Sequence, residues 1–99
     1  MKIIVQKFGG SVIQNIKSLN RAAEIITQTV SNNTKVVVVV SAMGDTTESL
    51  LKLAKTVNPL PSGREMDMLL SIGERITIVL LSLAITKRGY DAISFTKSR

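Results

Sequence analysis

Cysteine and histidine are both absent from this 99-residue chain. Without cysteine there is no disulfide scaffold, no thiolate metal site and no thiol nucleophile. Without histidine, a histidine-ligated zinc centre and a His-based triad are excluded as well. Aromatic residues are scarce, only Phe8, Tyr90 and Phe95, too few for a base-stacking platform. No uninterrupted apolar run reaches about 18 residues, which argues against a membrane span. The longest candidate, Met66 to Ile85, carries Asp67, Glu74 and Arg75. A leading charged, then apolar, then small-residue order is also missing, so no signal peptide is read. The expectation is a soluble, cytoplasmic protein.

Charge of one sign is in excess: 13 Lys and Arg against 7 Asp and Glu give a net +6. The basic residues are dispersed and form no run, so the excess reads as a solvated surface rather than a nucleic-acid stripe. Hydrophobic residues make up 44% and charged ones 20%, the balance of a globular chain. The length suits one domain with a genuine core.

Strand and helix patterns alternate along the chain. Met1 to Gln6 is a short apolar strand that breaks into Lys7-Phe8-Gly9-Gly10-Ser11. Ile16, Leu19, Ala23, Ile26 and Val30 then recur at helical spacing, with Asn15 as N-cap and Asn32-Asn33 as the stop. Val36 to Val40 is an unbroken β-branched run, which predicts a strand of a parallel sheet buried on both faces. Asp45-Thr46-Thr47-Glu48 predicts a capped helix start, and Ser62 with Glu65 predicts another, opening a long helix to about Lys87. Gly89 closes that helix, and Asp91 to Thr96 predicts a third strand. The fold class is therefore α/β, a parallel sheet with helices on both faces.

Ligands of such sheets gather at the carboxyl ends of the strands. That rule sets Lys7 to Ser11, Ser41 to Thr47 and Ser94 to Arg99 along one rim. Glycines without Cβ let backbone N–H groups approach a phosphate, and Lys7 supplies a compact ammonium. The pattern is not a P-loop, and Gly-Gly after a strand also marks an ordinary tight turn. In the second loop, Ser41, Thr47 and the helix N–H groups could hold a carboxylate or phosphate, or the polar residues could simply cap the helix.

Four segments together resemble one family. Val5-Gln6-Lys7-Phe8-Gly9-Gly10-Ser11 is similar to the N-terminal signature of aspartokinases, in the amino acid kinase family. Val38 to Leu51, with Ser-Ala-Met-Gly-Asp-Thr-Thr, looks like that family's second loop. Arg64 to Leu70 followed by Gly73-Glu74-Arg75-Ile76 resembles its third motif, and Ala92 to Thr96 the strand beyond. The resemblance implies the N-terminal portion of a carbamate-kinase-like αβα sandwich, residues 1–99 being a partial kinase domain. It implies phosphorylation of the side-chain carboxylate of L-aspartate by ATP with Mg2+, the first step towards lysine, threonine and methionine. By the same resemblance Lys7 stabilises the transferring phosphoryl group, and Phe8, Gly9 and Gly10 line the ATP phosphates. Ser41, Thr47 and Glu74 line the aspartate site. From the residues alone, Glu74 could equally pair with Arg75 or Lys87, or be exposed.

The chain departs from the family at Val12, where a small hydroxyl or thiol residue is usual, and at Lys97 and Arg99, where glycine and glutamine are usual. The family's nucleotide-base and metal-binding segment and its ACT regulatory domains lie outside these 99 residues, and no metal ligand is assigned here. No measurable aspartokinase activity is expected of the chain alone. The alternative is a non-catalytic remnant or interaction module of a split or decayed kinase gene. Self-association or a partner chain is expected in either case, because an apolar strand edge is a template for association.

Overall fold

The computed structural model describes residues 1–95. In chain order the elements are β1 (Lys2–Phe8), α1 (Ile16–Thr29), β2 (Thr34–Val40), α2 (Gly44–Val57) and α3 (Gly63–Lys87). β1 and β2 pair in parallel, with Lys2 opposite Thr34 and Phe8 opposite Val40. Strands that run in one direction and end in register release their following loops at the same edge. That alone sets Gly9–Gln14 beside Ser41–Met43.

α1 starts where the sequence expects it. The Asn15 side chain accepts from the Ser18 amide at 3.1 Å, and the Ser18 hydroxyl accepts from the Asn15 amide at 3.0 Å, a reciprocal cap that satisfies two first-turn donors. Leu19, Ala22, Ala23 and Ile26 form its buried stripe and meet Leu81 and Ile85 of α3, with Ile13 and Met43 from the loops. Each fully buried Leu or Ile contributes about 2 kcal/mol. Ile16, one member of the expected stripe, is 52% exposed at the helix start.

α3 ends as the sequence expects. Gly89 takes φ +90°, and its amide donates to the Thr86 carbonyl. At the start of α3 the Ser62 hydroxyl accepts from the Glu65 amide at 3.3 Å. Its buried residues, Gly73, Thr77, Leu81 and Ile85, recur every fourth position along one line. By length and composition alone α3 is long and apolar enough to cross a membrane, with mean hydropathy 1.9 over its most apolar window. In this fold its buried line packs on α1, α2 and β2.

Three expectations change. The β-branched strand is covered on one face only: Val36, Val38 and Val40 pack on the core, whereas Val37 and Val39 are exposed. Side chains alternate across a strand, and no described element lies over the second face. Helix α2 begins at Gly44 behind Met43, which makes no side-chain cap bond, so Asp45 is a first-turn residue and not the cap. Backbone carbonyls from a neighbouring loop do the capping instead. Asp91 to Phe95 form no strand, and Thr96, the last residue of the expected third strand, lies outside the described residues with Lys97 to Arg99.

Candidate phosphate and carboxylate site

Lys7 is the penultimate residue of β1, opposite Val39, exposed and without an ion pair among the described residues. Phe8 ends the strand with its side chain packed against the hydrophobic core, so only its backbone belongs to the rim. The chain then tightens. Val12 and Ile13 both donate to the Gly9 carbonyl at 3.0 Å, and Ile13 plugs into the core at 1% exposure. No hydrogen bond among the described residues takes up the amides of Gly9, Gly10 or Ser11. Three successive free amides after a lysine are the donors an anionic oxygen needs.

Gly10 is where the first loop meets the second. A Cβ at Gly10 would stand 2.9 Å from the Ala42 carbonyl oxygen and 3.7 Å from the Ser41 hydroxyl. A Cβ at Gly44 would stand 2.9 Å from the Gly10 carbonyl oxygen and 2.5 Å from Gln14 Oε1. The two glycines thus permit backbone-to-backbone contact that any side chain would block. Hydrogen bonds lock the contact: the Ser41 amide donates to Phe8, the Gly44 amide to Ile13 and the Asp45 amide to Gln14.

Those bonds correct one expectation about α2. The amides of Gly44, Asp45 and Thr47 are all engaged, the last with the Met43 carbonyl, and the Met43 amide donates to the Thr77 hydroxyl. The start of α2 offers these donors to its own chain rather than to a ligand. Among the described residues the amides of Gly9, Gly10 and Ser11 in the first loop, and that of Thr46 in α2, have no hydrogen-bond partner, and Ser41 and Thr47 are half-buried.

Glu74 comes from α3, one residue after Gly73. A Cβ at Gly73 would be 3.1 Å from Ala42 Cβ and 3.6 Å from Thr46 Cγ2, so this turn of the helix lies directly against the second loop. Glu74 is exposed, and neither Arg75 nor Lys87 pairs with it; the ion pair among the described residues is Arg88–Glu24 at 3.7 Å. The fold therefore sets Lys7, Gly9 and Gly10 at the edge where β1 and β2 end, with Gly10 against Ser41, while Thr47 lies in α2 and Glu74 is exposed on α3. Sequence reading missed Gly44, Gln14, Gly73 and Thr77. A glycine inside a helical pattern signals close approach, and Thr77, four residues on, lies on the same face. No local signal distinguishes Gln14.

Comparison with known proteins identifies the family. The model of the Amino acid kinase family matches residues 2–99. The chain is 50% identical over 99 residues to the aspartokinase of Corynebacterium glutamicum and 52% identical over 99 residues to that of Mycolicibacterium smegmatis. It is 49% identical over 96 residues to aspartokinase 2 of Bacillus subtilis. It spans all or nearly all of itself in these matches but 24% of each relative's length. The crystal structure of aspartate kinase from Synechocystis superposes with a TM-score of 0.80 at 47% identity, covering 92% of this chain and 16% of that one. The chain belongs to the amino acid kinase family, and within that family it is similar to the aspartokinases.

Proposed function

We propose that this chain carries the phosphoryl-binding and carboxylate-binding rim of an aspartate kinase. The reaction is transfer of the γ-phosphoryl group of ATP to the side-chain carboxylate of L-aspartate, giving 4-phospho-L-aspartate and ADP. This is the entry to lysine, threonine and methionine synthesis, and it places the protein in the cytoplasm. The observation that carries the reading is the contact of Gly10 with Ala42 and Ser41, which joins the lysine-glycine turn to the hydroxyl loop. Aspartokinase relatives at about half identity support the substrate.

The residues present fit a phosphate: amides at Gly9, Gly10 and Ser11 that no hydrogen bond among the described residues takes up, and a lysine without an ion pair among them. Mg2+ that travels with ATP needs only one or two carboxylates beside the phosphate oxygens and its waters, and no residue of this chain is named as its ligand. No step is assigned to Mg2+ through this chain. In the reaction a carboxylate oxygen of aspartate forms a bond to the γ-phosphorus as the bond to the β–γ bridging oxygen breaks. Negative charge shifts onto that bridging oxygen and spreads over the equatorial oxygens. Lys7 offsets it, and the loop amides hold the phosphates in line. Ser41 and Thr47 orient the attacking carboxylate, and Glu74 faces the substrate ammonium. The Val12 side chain offers no hydrogen bond at the position where the family usually has a hydroxyl or thiol.

The chain alone is proposed to turn over no substrate, because base and metal sites lie outside the rim described. Fused to the remaining three quarters of the Corynebacterium glutamicum aspartokinase, it should form aspartyl phosphate, trapped as the hydroxamate. In that fusion Lys7→Ala should lower kcat about 100-fold or more, and Glu74→Ala should mainly raise the KM for aspartate. A fusion whose activity ignores Lys7 would sink the assignment. The open strand face supports the second reading, an interaction module, in which the chain binds a partner or itself without catalysis.

A further inference from the structure

We infer that Thr77 is a positioning residue: its hydroxyl, on the far side of the second loop from the lysine-glycine turn, holds that loop in register. The inference rests on the proposed aspartate kinase reading. Thr77 is fully buried at 0% exposure in the middle of α3. Its hydroxyl donates to the Gly73 carbonyl at 3.2 Å and accepts from the Met43 amide at 3.0 Å. A hydroxyl has one proton and two lone pairs, so both bonds form at once. The Met43 amide belongs to a residue 6% exposed, and Thr77 is its partner across 34 residues of sequence.

The geometry links three elements in series. Gly73, one turn before Thr77, lets α3 approach Ala42 and Thr46, and the Thr77 hydroxyl then fixes the backbone between them. On the opposite side of the same loop, the Gly44 and Asp45 amides hold the Ile13 and Gln14 carbonyls, beyond the Gly9–Gly10 turn. The loop carrying Ser41 and Thr47 is clamped between α3 and the phosphate turn. Loss of the hydroxyl leaves a buried amide unpaired and frees one side of the clamp. The effect should fall on the aspartate side of the site, since the phosphate amides sit on the other loop. Thr77 touches neither substrate, so its action is through Met43.

Two variants separate the hydroxyl from packing: Thr77→Val keeps the shape and loses both hydrogen bonds, and Thr77→Ser keeps the bonds and loses a methyl. Amide exchange is followed at Met43 and, as a reference, at Ala22 and Ala23 of α1, in the fusion enzyme and in the chain itself. Thr77→Val should speed exchange at Met43 about tenfold or more over the reference amides, and Thr77→Ser should restore it. In the fusion enzyme Thr77→Val should raise the KM for aspartate about tenfold with the KM for ATP within about twofold. Unchanged exchange at Met43, equal acceleration in α1, or equal changes in both KM values would overturn the inference. A fusion with Thr77 intact that phosphorylates no aspartate defeats the functional reading, and exchange at Met43 still decides the anchoring.

Discussion

The two faces of the β1–β2 ribbon are built from the same residue types and have opposite fates. On one face Val36, Val38 and Val40 pack with Phe8 against Leu19, Ala23, Ile26, Leu81 and Ile85. On the other, Ile3 and Val5 are 64% and 65% exposed, and Val37 and Val39 are 50% and 46% exposed. Residue chemistry does not distinguish Val38 from Val39. What differs is the neighbour: α1 and α3 both lie on the same side, and nothing among the described residues covers the other. Burial is thus a property of the pair of surfaces and not of the side chain. The apolar groove of about 600 Å³ between α2 and α3, lined by Leu53, Val57, Leu60, Met66, Leu69 and Ile72, follows the same rule. These are helix faces patterned for contact that their own chain fills only in part.

Truncating the covered face should have the largest effect. Leu19→Ala removes a side chain 2% exposed and should cost about 3 kcal/mol in denaturant unfolding. Val37→Ala, its counterpart on the open face, should cost less than about 1 kcal/mol. Equal losses at the two positions would mean that the open face is covered in solution.

Next comes the joint between the loops. Gly10→Ala sets a methyl 2.9 Å from the Ala42 carbonyl oxygen, which is backbone and cannot swing aside. About 1–3 kcal/mol of destabilisation is expected by thermal unfolding, together with lost hydroxamate formation in the fusion enzyme. Gly9→Ala, which meets nothing within 4 Å, should be milder, and reversal of that order would break the contact proposed for the site.

A smaller effect sharpens the comparison directly. Val37→Thr with Val39→Thr should change unfolding free energy by about 1 kcal/mol or less while reducing self-association of the chain, as read by sedimentation. Unaltered association would move the sticky surface elsewhere, with the α2–α3 groove the next to test. Smallest of all is Arg88→Ala. Its ion pair with Glu24 spans 3.7 Å between side chains 40% and 50% exposed, and its loss should cost about 0.5 kcal/mol or less. A larger loss would show that α1 and α3 are held by charge as well as by their apolar seam.

Much of the fold was legible. The Asn15 cap, the Ser62 cap, the stop at Gly89 and the strand end at Val40 are local events, each governed by a few consecutive residues, whereas β1 runs past the expected end at Gln6 to Phe8. The candidate site was legible as three separate segments, but not as an arrangement. Ser62 reads correctly as a cap because a serine there acts alone; Asp45 misleads because the amides near it were already held by Ile13 and Gln14, residues some thirty positions away. Phe8 was grouped with the phosphate residues by its place in a motif. The strand alternation turns its ring to the core instead. Asp91 to Phe95 carry strand-forming residues, yet no described strand lies beside them to supply a ladder.

The sequence by itself determined where chain direction changes and which stripe of each helix is apolar, because capping, glycine freedom and side-chain periodicity act within a turn or two. It also carried the family resemblance, through four motifs in order. Only the tertiary structure decided which valines are buried, which amides remain free for an anion and what holds the second loop in place. The reason is that backbone amides are the same in every residue. Whether the Gly44 amide meets a ligand or the Ile13 carbonyl depends on which loop arrives beside it, and that is set by parallel pairing and by the approach of α3. Thr77 is the clearest instance: a threonine in a long apolar helix, unremarked among its neighbours, becomes the anchor of a loop 34 residues away once Gly73 lets the helix come close.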